Sequence, residues 1–306
     1  MIVFLCTHNP RADYLAETLE ALRLQTLPTE EWDLVIIDNA SLEPLSGRLD
    51  LSWHPRASIV REEKLGTFHA RWHALRVARD AGVDLLMFVD DDNLLAPDYL
   101  EQGMAVAREH PELGAWGGQL LPRYEQAPPS WIAPYRSYLA IFPLEAPLIG
   151  RKLESYDVVP PTAGGWVRRQ VFMAYLSVLE TQEERQELGP KGDRRIGGED
   201  MDLMLTAFDV GLGLGRFPQL RLTHIIPGNR LTPGYISKLM AGNVLGVAIL
   251  EYLRFGRIPP AVRGGLLRLW RTARLPAHLR TIAFAEWGAQ RRARRLITTW
   301  AASPRS

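Results

Sequence analysis

The chain has 306 residues, 46% hydrophobic and 23% charged, which fits a folded globular protein and excludes wholesale disorder or a collagen-like fibre. A lone cysteine, Cys6, excludes an internal disulfide framework and a zinc site of paired cysteines, and points to a reducing compartment. The net charge of +1 conceals an asymmetry: residues 251–306 carry twelve arginines against Glu251 and Glu286, a balance of +10 that leaves −9 for residues 1–250.

In chain order, Ile2 to Cys6 reads as a strand buried on both faces, with no basic stretch before it to mark a signal peptide. A cytoplasmic location is therefore expected. Residues 11–24 place Tyr14, Leu15, Leu19 and Leu22 on one helical stripe, and Leu34 to Ile37 is a second buried strand ending at Asp38. Ala57 to Val60 predicts a short third strand, residues 67–81 a helix, and Asp84 to Val89 a fourth strand followed by Asp90, Asp91 and Asp92. This alternation predicts parallel βαβ units, whose ligands bind beyond the carboxyl ends of the strands. The pattern then loosens: Trp116 to Gly118 lies on or near a strand, and Pro122 to Pro147 reads as an irregular excursion. Residues 181–198 read as a loop, Asp200 to Val210 as a helix, and Leu220 to Ile226 as a strand. From Pro233 onward the pattern is helical and basic, giving an expected boundary between a domain at 1–232 and a region at 233–306. The most apolar stretch, Ile236 to Leu253, is interrupted by Lys238, Asn243 and Glu251 and falls short of a membrane span.

Three features carry chemistry. Adjacent carboxylates at Asp90, Asp91 and Asp92 repel one another and call for a cation, for which a hard divalent ion with oxygen ligands is the natural partner; a solvated acidic turn is the alternative. Gly197-Gly198-Glu199-Asp200 opens a helix where the dipole favours negative charge. His224 ends a strand and is either a structural histidine or a metal ligand.

Together these pieces resemble the inverting family 2 glycosyltransferases of the GT-A fold, over roughly residues 1–230 and in the family's order. Cys6-Thr7-His8-Asn9 is similar to the family's opening nucleotide-binding turn, and Val35 to Ser41 to its second strand, whose aspartate, here Asp38, reads the base. Lys64-Leu65-Gly66 through Arg71 resembles the stretch that places an arginine near the nucleotide. Phe88 to Asp92 matches the DXD element, Gly164-Gly165-Trp166 the acceptor-side glycine pair before a helix, and Gly198-Glu199-Asp200 the ED motif. The resemblance implies an α/β GT-A fold with a mixed sheet and a C-terminal helical appendage. It implies a nucleotide-sugar donor, foremost a UDP-sugar, and Mg²⁺ or Mn²⁺ held by Asp92 with Asp90 or His224. Thr7, Asp38, Arg71, Asp90 and Asp91 would hold the donor, and Gly164, Gly165 and Trp166 the acceptor. Asp200 would be the base and Glu199 would position the acceptor, in polysaccharide or cell-envelope glycolipid synthesis.

Other classes compete less well. A nucleotidyltransferase acting on sugar phosphates would need a glycine-rich, basic loop after its first strand, and Thr7-His8-Asn9-Pro10 is not one; a non-catalytic GT-A scaffold would be expected to have lost carboxylates that stand here. Arg168, Arg169, Lys191, Arg194 and Arg195 are candidates for phosphate contact, each more simply a surface charge. The arginine-rich tail mixes Leu266, Leu267, Leu269, Trp270, Ile282, Phe284 and Trp287 with its charges. It fits peripheral contact with an anionic membrane and a saccharide or lipid-linked acceptor, or else a packed appendage; no nucleic-acid partner is expected.

Overall fold

The structure is a computed structural model that describes residues 1–189, 196–261 and 265–302, so Lys191, Arg194 and Arg195 lie outside the described residues. The first half alternates as the sequence predicts: β1 (Ile2–Thr7), α1 (Ala12–Arg23), β2 (Asp33–Asn39), β3 (Ala57–Glu62), α2 (Thr67–Asp80) and β4 (Leu85–Asp90). It continues through β5 (Asn93–Leu95), α3 (Tyr99–Glu109), β6 (Leu113–Tyr124), β7 (Leu148–Gly150), β8 (Trp166–Arg168), α4 (Arg169–Thr181), α5 (Glu199–Asp209) and β9 (Gly213–Ile226). Three helices follow: α6 (Pro233–Phe255), α7 (Gly265–Ala273) and α8 (Ala277–Ala302).

The strands form one mixed sheet in the order β3-β2-β1-β4-β8-β6-β9-β5, with β7 paired to β9. β3, β2, β1 and β4 run parallel, and β8 enters antiparallel between β4 and β6. Alternate residues of β1 divide the core. Ile2 and Phe4 face Phe68, Phe172 and Met204 of α2, α4 and α5, while Val3 and Leu5 face Leu15, Leu22 and Leu100 of α1 and α3. Both faces are covered, which is why these strands read as continuous apolar runs.

Two elements differ from the sequence reading. The expected strand at 220–226 is the second half of β9, which begins at Gly213; Gly213, Gly215 and Pro218 have low strand propensity and hid its first half. The glycine pair at 164–165 precedes not a helix but the short strand β8, and α4 starts only at Arg169.

α6 joins two layers. Ile249 and Leu250 belong to the central core, while Ile236 and Met240 pack with Ile132, Ile226 and Ile282 of α8 in a separate cluster. Gly246 lets α6 approach the chain at Gly197, where a Cβ would lie 1.9 Å from the carbonyl oxygen. By length and composition α6 would suffice to cross a membrane, against the expectation drawn from Lys238, Asn243 and Glu251; Lys238 and Glu251 are too few charges to break so apolar a run. In the fold, 44% of its most apolar window is buried.

Candidate active site

β1, β2 and β4 end at one edge because they are parallel and in register, with Thr7 beside Asp38 and Cys6 beside Asp90. Buried Thr7 donates its hydroxyl to Asp91. Asn93 holds the acidic turn: its Oδ1 accepts the Asp90 N–H at 3.1 Å and its Nδ2 donates to Asp92 at 3.1 Å. Antiparallel pairing of β5 with β9 sets Asn93 opposite His224, and this brings His224 Nε2 to 3.4 Å from Asp92 Oδ2. The His224 Nδ1–H donates to the Leu139 carbonyl at 3.1 Å, which fixes the ring with Nε2 turned to the acidic turn. Arg230 caps the pair, with Nη2 3.0 Å from Asp92 and Nη1 3.1 Å from His224 Nε2.

Negative charge exceeds positive at this edge. Burial, reinforced by the charges of Asp92 and Asp90, pushes the Asp91 carboxyl up to about 6 despite the Thr7 hydrogen bond. Burial would also raise Asp92, but His224 and Arg230 outweigh it and hold that carboxyl below its ordinary value. A carboxylate oxygen and an imidazole nitrogen side by side form a donor pair that suits Mg²⁺ or Mn²⁺, and both are engaged by Arg230, which a cation there would displace. Among the described residues no group of three His, Cys, Asp or Glu side chains converges as a metal site. A cation at Asp92 and His224 would thus draw its other ligands from water and phosphate oxygens, as Mg²⁺ commonly does.

Across the edge, Glu199 and Asp200 open α5 and point in different directions. Glu199 is buried and accepts from Arg71 Nη1 at 2.8 Å, while Arg71 Nη2 lies 3.8 Å from Asp90. Burial, and then the charge of Asp200, pushes Glu199 up to about 7 against the pull of Arg71. Asp200 instead lines a cleft of about 510 Å³ that it shares with Asp90, Arg71, Tyr138, Thr162 and Arg216. A larger cavity of about 780 Å³ lies between α1 and residues 41–53, reaching Asn9 and Ser41 but none of Asp38, Asp90 to Asp92 or Asp200.

Several sequence expectations are corrected here. Trp166, expected on the acceptor side, is wholly buried and stacks on Trp116 at 5.8 Å, because β8 turns that side chain toward α3. Gly164 and Gly165 stand behind the cleft wall. Gly164, at φ +73°, donates to Phe88 O and accepts from Tyr99, and a Cβ there would meet the Tyr99 hydroxyl at 2.3 Å. Glu199 is buried on Arg71 and does not line the Asp200 cleft, and Arg71 bridges the two acidic motifs. Both oxygens of Asp38 are engaged inside the protein, by the Ser41 N–H at 3.2 Å, the Leu45 N–H at 3.0 Å and Arg61 at 3.0 Å. Asp90 turns toward Arg71, leaving Asp92 beside His224. Arg168 donates to the carbonyls of Ala107, His110 and Leu113 around the end of α3, and Arg169 to that of Val83. Arg230 had no reading at all; its signal was a cation six residues beyond His224, after Pro227-Gly228.

Over 109 residues the chain is 33% identical to protein y4gI of Sinorhizobium fredii, a match covering 34% of this chain and 11% of that one. TarS of Staphylococcus aureus, residues 1–349 in complex with UDP-GlcNAc, superposes with a TM-score of 0.53 at 13% identity, covering 98% of this chain and 90% of that one. The chain spans only 54% of the longer TarS structure. The mannosyltransferase PcManGT of Pyrobaculum calidifontis, in complex with GDP-Man and Mn²⁺, gives a TM-score of 0.51 at 18% identity, covering 99% and 76%. These likenesses show the expected GT-A fold. The profile of glycosyl transferase family 2 matches residues 2–175, more than half of the chain, and the chain belongs to that family.

Proposed function

We propose that the protein transfers a sugar from a nucleoside-diphosphate donor to a hydroxyl acceptor, with inversion at the anomeric carbon and with Mg²⁺ or Mn²⁺ bound. The observation that carries this reading is that Asp200 and Asp90 line the same cleft beyond the carboxyl end of β4. The complexes of TarS with UDP-GlcNAc and of PcManGT with GDP-Man and Mn²⁺ support the donor class and the cation, and a UDP-sugar is the first candidate. Asp92 and His224 would hold the cation, which when bound supplies positive charge to the departing diphosphate.

The acceptor hydroxyl gives its proton to the Asp200 carboxylate while its oxygen attacks the anomeric carbon from the face opposite the diphosphate. The carbon–oxygen bond to the diphosphate breaks with its electron pair, and the nucleoside diphosphate leaves. Asp91, held by Thr7, is placed for the ribose, and Asp38 shapes the 41–45 turn that borders the nucleoside. Arg71 keeps the two acidic motifs at a set separation. An apolar cavity of about 650 Å³ shares Asn243 and Val247 of α6 with the cleft, which supports a lipid-linked saccharide acceptor in envelope glycan or polysaccharide synthesis.

The test is a panel of UDP-, GDP- and dTDP-sugars assayed for hydrolysis and transfer with Mn²⁺ and with EDTA. One donor is expected to be consumed only with the cation. Asp200→Asn is expected to keep nucleotide binding and lose about 10²–10⁴ in turnover. Loss of nucleotide binding with turnover kept would assign Asp200 to the donor side. Asp92→Asn is expected to abolish Mn²⁺-dependent nucleotide binding measured by calorimetry, and unaffected binding would remove the cation from this reading.

A further inference from the structure

Three buried or nearly buried arginines and the partly exposed Arg230 each meet a carboxylate: Arg71 meets Glu199, Arg230 meets Asp92, and Arg185 and Arg254 both meet Asp202. Arg216 does not. It rises from β9 into the wall of the Asp200 cleft and is only 6% exposed, yet among the described residues it has no ion-pair partner. Its Nη1 donates to the Asp157 carbonyl at 3.0 Å and its Nη2 to those of Phe142 and Gly118 at 3.3 and 3.5 Å, while its Nε is buried without a partner. The Asp157 carboxylate is exposed and accepts from Ser155 at 2.8 Å.

A role confined to tying loops together does not account for this arrangement. Arg168 also bonds only carbonyls, but two of them close α3, where the helix dipole supplies negative potential, and it lines no cavity described above. The carbonyls on Arg216 come from three separate segments, β6, the stretch after Leu139 and the turn before Val158, so no helix end offsets its charge. The carboxylate whose charge reaches Arg216 is Asp157, which is exposed, lines the same cleft and makes no ion pair with it; a buried guanidinium fixed at a cleft wall without such a pair is positioned to receive an opposite charge. Asp200 and Asp90 line the same cleft, and an anion beside them would be repelled. The cleft thus carries the carboxylates of Asp90, Asp157 and Asp200, the guanidinium of Arg71 tied to Glu199, and the guanidinium of Arg216, which has no ion pair among the described residues.

We propose that the acceptor carries an anionic group, a carboxylate or a phosphate, and that Arg216 recognises it and so turns the acceptor hydroxyl toward Asp200. This rests on the glycosyl-transfer reading above and names the acceptor class for that site. Tyr138 and Phe142 flank the same wall, and Phe142 lies under the guanidinium at 5.4 Å, which holds the fork in place when an anion engages it.

The experiment measures binding to the full chain in the presence of UDP and Mn²⁺. Two matched pairs of probes are titrated by calorimetry: p-nitrophenyl glucuronide against p-nitrophenyl glucoside, and glucose 6-phosphate against glucose. In the wild type at least one anionic member is expected to bind about tenfold or more tightly than its neutral partner. The pair that shows the difference distinguishes carboxylate from phosphate. Arg216→Gln is expected to abolish the preference and Arg216→Lys to retain most of it, with melting curves confirming that both fold. The wild-type comparison decides by itself if the Gln variant does not fold. Equal binding within both pairs, no binding of either anionic probe, or a preference that survives in Arg216→Gln overturns the proposal. UDP binding is read separately: if UDP binds while the anionic preference is absent, the transferase reading stands and this one fails.

Discussion

Glu199 and Asp200 are chemically alike neighbours placed in opposite surroundings by the first turn of α5. Asp200 faces the cleft, whereas Glu199 is buried against Arg71 and its Oε2 has no hydrogen-bond partner among the described residues. Because the folded protein raises the Glu199 carboxyl from its ordinary value to about 7, it holds a proton there that the unfolded chain has already released. The stabilising contribution of this group is thus complete below the ordinary carboxylate range and is lost as pH rises to about 7. Glu199→Gln is expected to flatten the fall in stability across that window by on the order of 1–3 kcal/mol, read from urea unfolding at several pH values. The slope that remains belongs in part to Asp91, raised in the same direction. An unchanged pH profile would mean that Arg71 keeps Glu199 ionised throughout.

The positions of whole elements depend on a different acidic residue of the same turn. Asp202 is wholly buried and accepts from Arg185, beyond the end of α4, and from Arg254 Nε of α6 at 2.6 Å, so one carboxylate ties three segments together. Arg254 also donates to the Asp202 carbonyl, to the Thr206 hydroxyl at 3.0 Å and to Asp209 at 2.8 Å, clamping α6 along α5. Removing the charge leaves two buried guanidinium groups short of a partner. Asp202→Asn is expected to destabilise the fold by about 3–5 kcal/mol in thermal or urea unfolding, the cost of breaking a buried pair on one side. A variant of wild-type stability would mean that Asp209 and the carbonyls carry both arginines. Three carboxylates stand in the first turn of α5, and the fold divides them: Glu199 anchors Arg71, Asp200 lines the cleft and Asp202 is a hub.

At the scale of the whole molecule the basic C-terminal region divides in two. α8 turns Ile282, Ala289, Ala293 and Ile297 inward, and its Trp300 packs near Tyr252 of α6 at 6.3 Å, so this helix is part of the body. α7 and the turn after it leave Leu269, Trp270 and Leu275 exposed, with Arg274 over the Trp270 ring at 3.6 Å and Phe284 exposed nearby in sequence on α8. Exposed apolar side chains interleaved with arginines are the pattern of a reversible interfacial contact, each arginine adding about 1 kcal/mol near an anionic surface. The full chain is expected to sediment with phosphatidylserine-containing vesicles at low salt and to be released at high salt. Trp270→Ser, at a side chain 53% exposed, is expected to weaken that sedimentation without changing the melting temperature. A chain that ignores such vesicles at low salt would leave the basic region with a packing role only.

Strands β1 to β4, their parallel order and the gathering of Thr7, Asp38 and Asp90 to Asp92 at one edge were legible in the sequence. Period, apolar runs and turn residues are local signals, and a buried parallel strand has no other way to be written. The family motifs likewise single out Asp200, which lines the cleft, and His224, which stands beside Asp92. What each side chain meets was not legible, because those meetings join residues far apart in the chain. Arg71 finds Glu199 across 128 positions, and Arg230 reaches Asp92 only because β9 returns beside β5. Trp166 looked like an acceptor contact beside its glycines until the pleat of β8 fixed which face it points to. Arg216 reads in sequence as any strand arginine, and only the three segments closing around it make it a buried charge with no ion pair among the described residues. Sequence determined which elements form and where their polar ends collect, since hydrophobic period and backbone propensity act over a few residues. Pairing of charges, the facing of Glu199 and Asp200 and the polarity of the cleft were decided by tertiary structure alone, because burial and electrostatics depend on distances that no local pattern encodes.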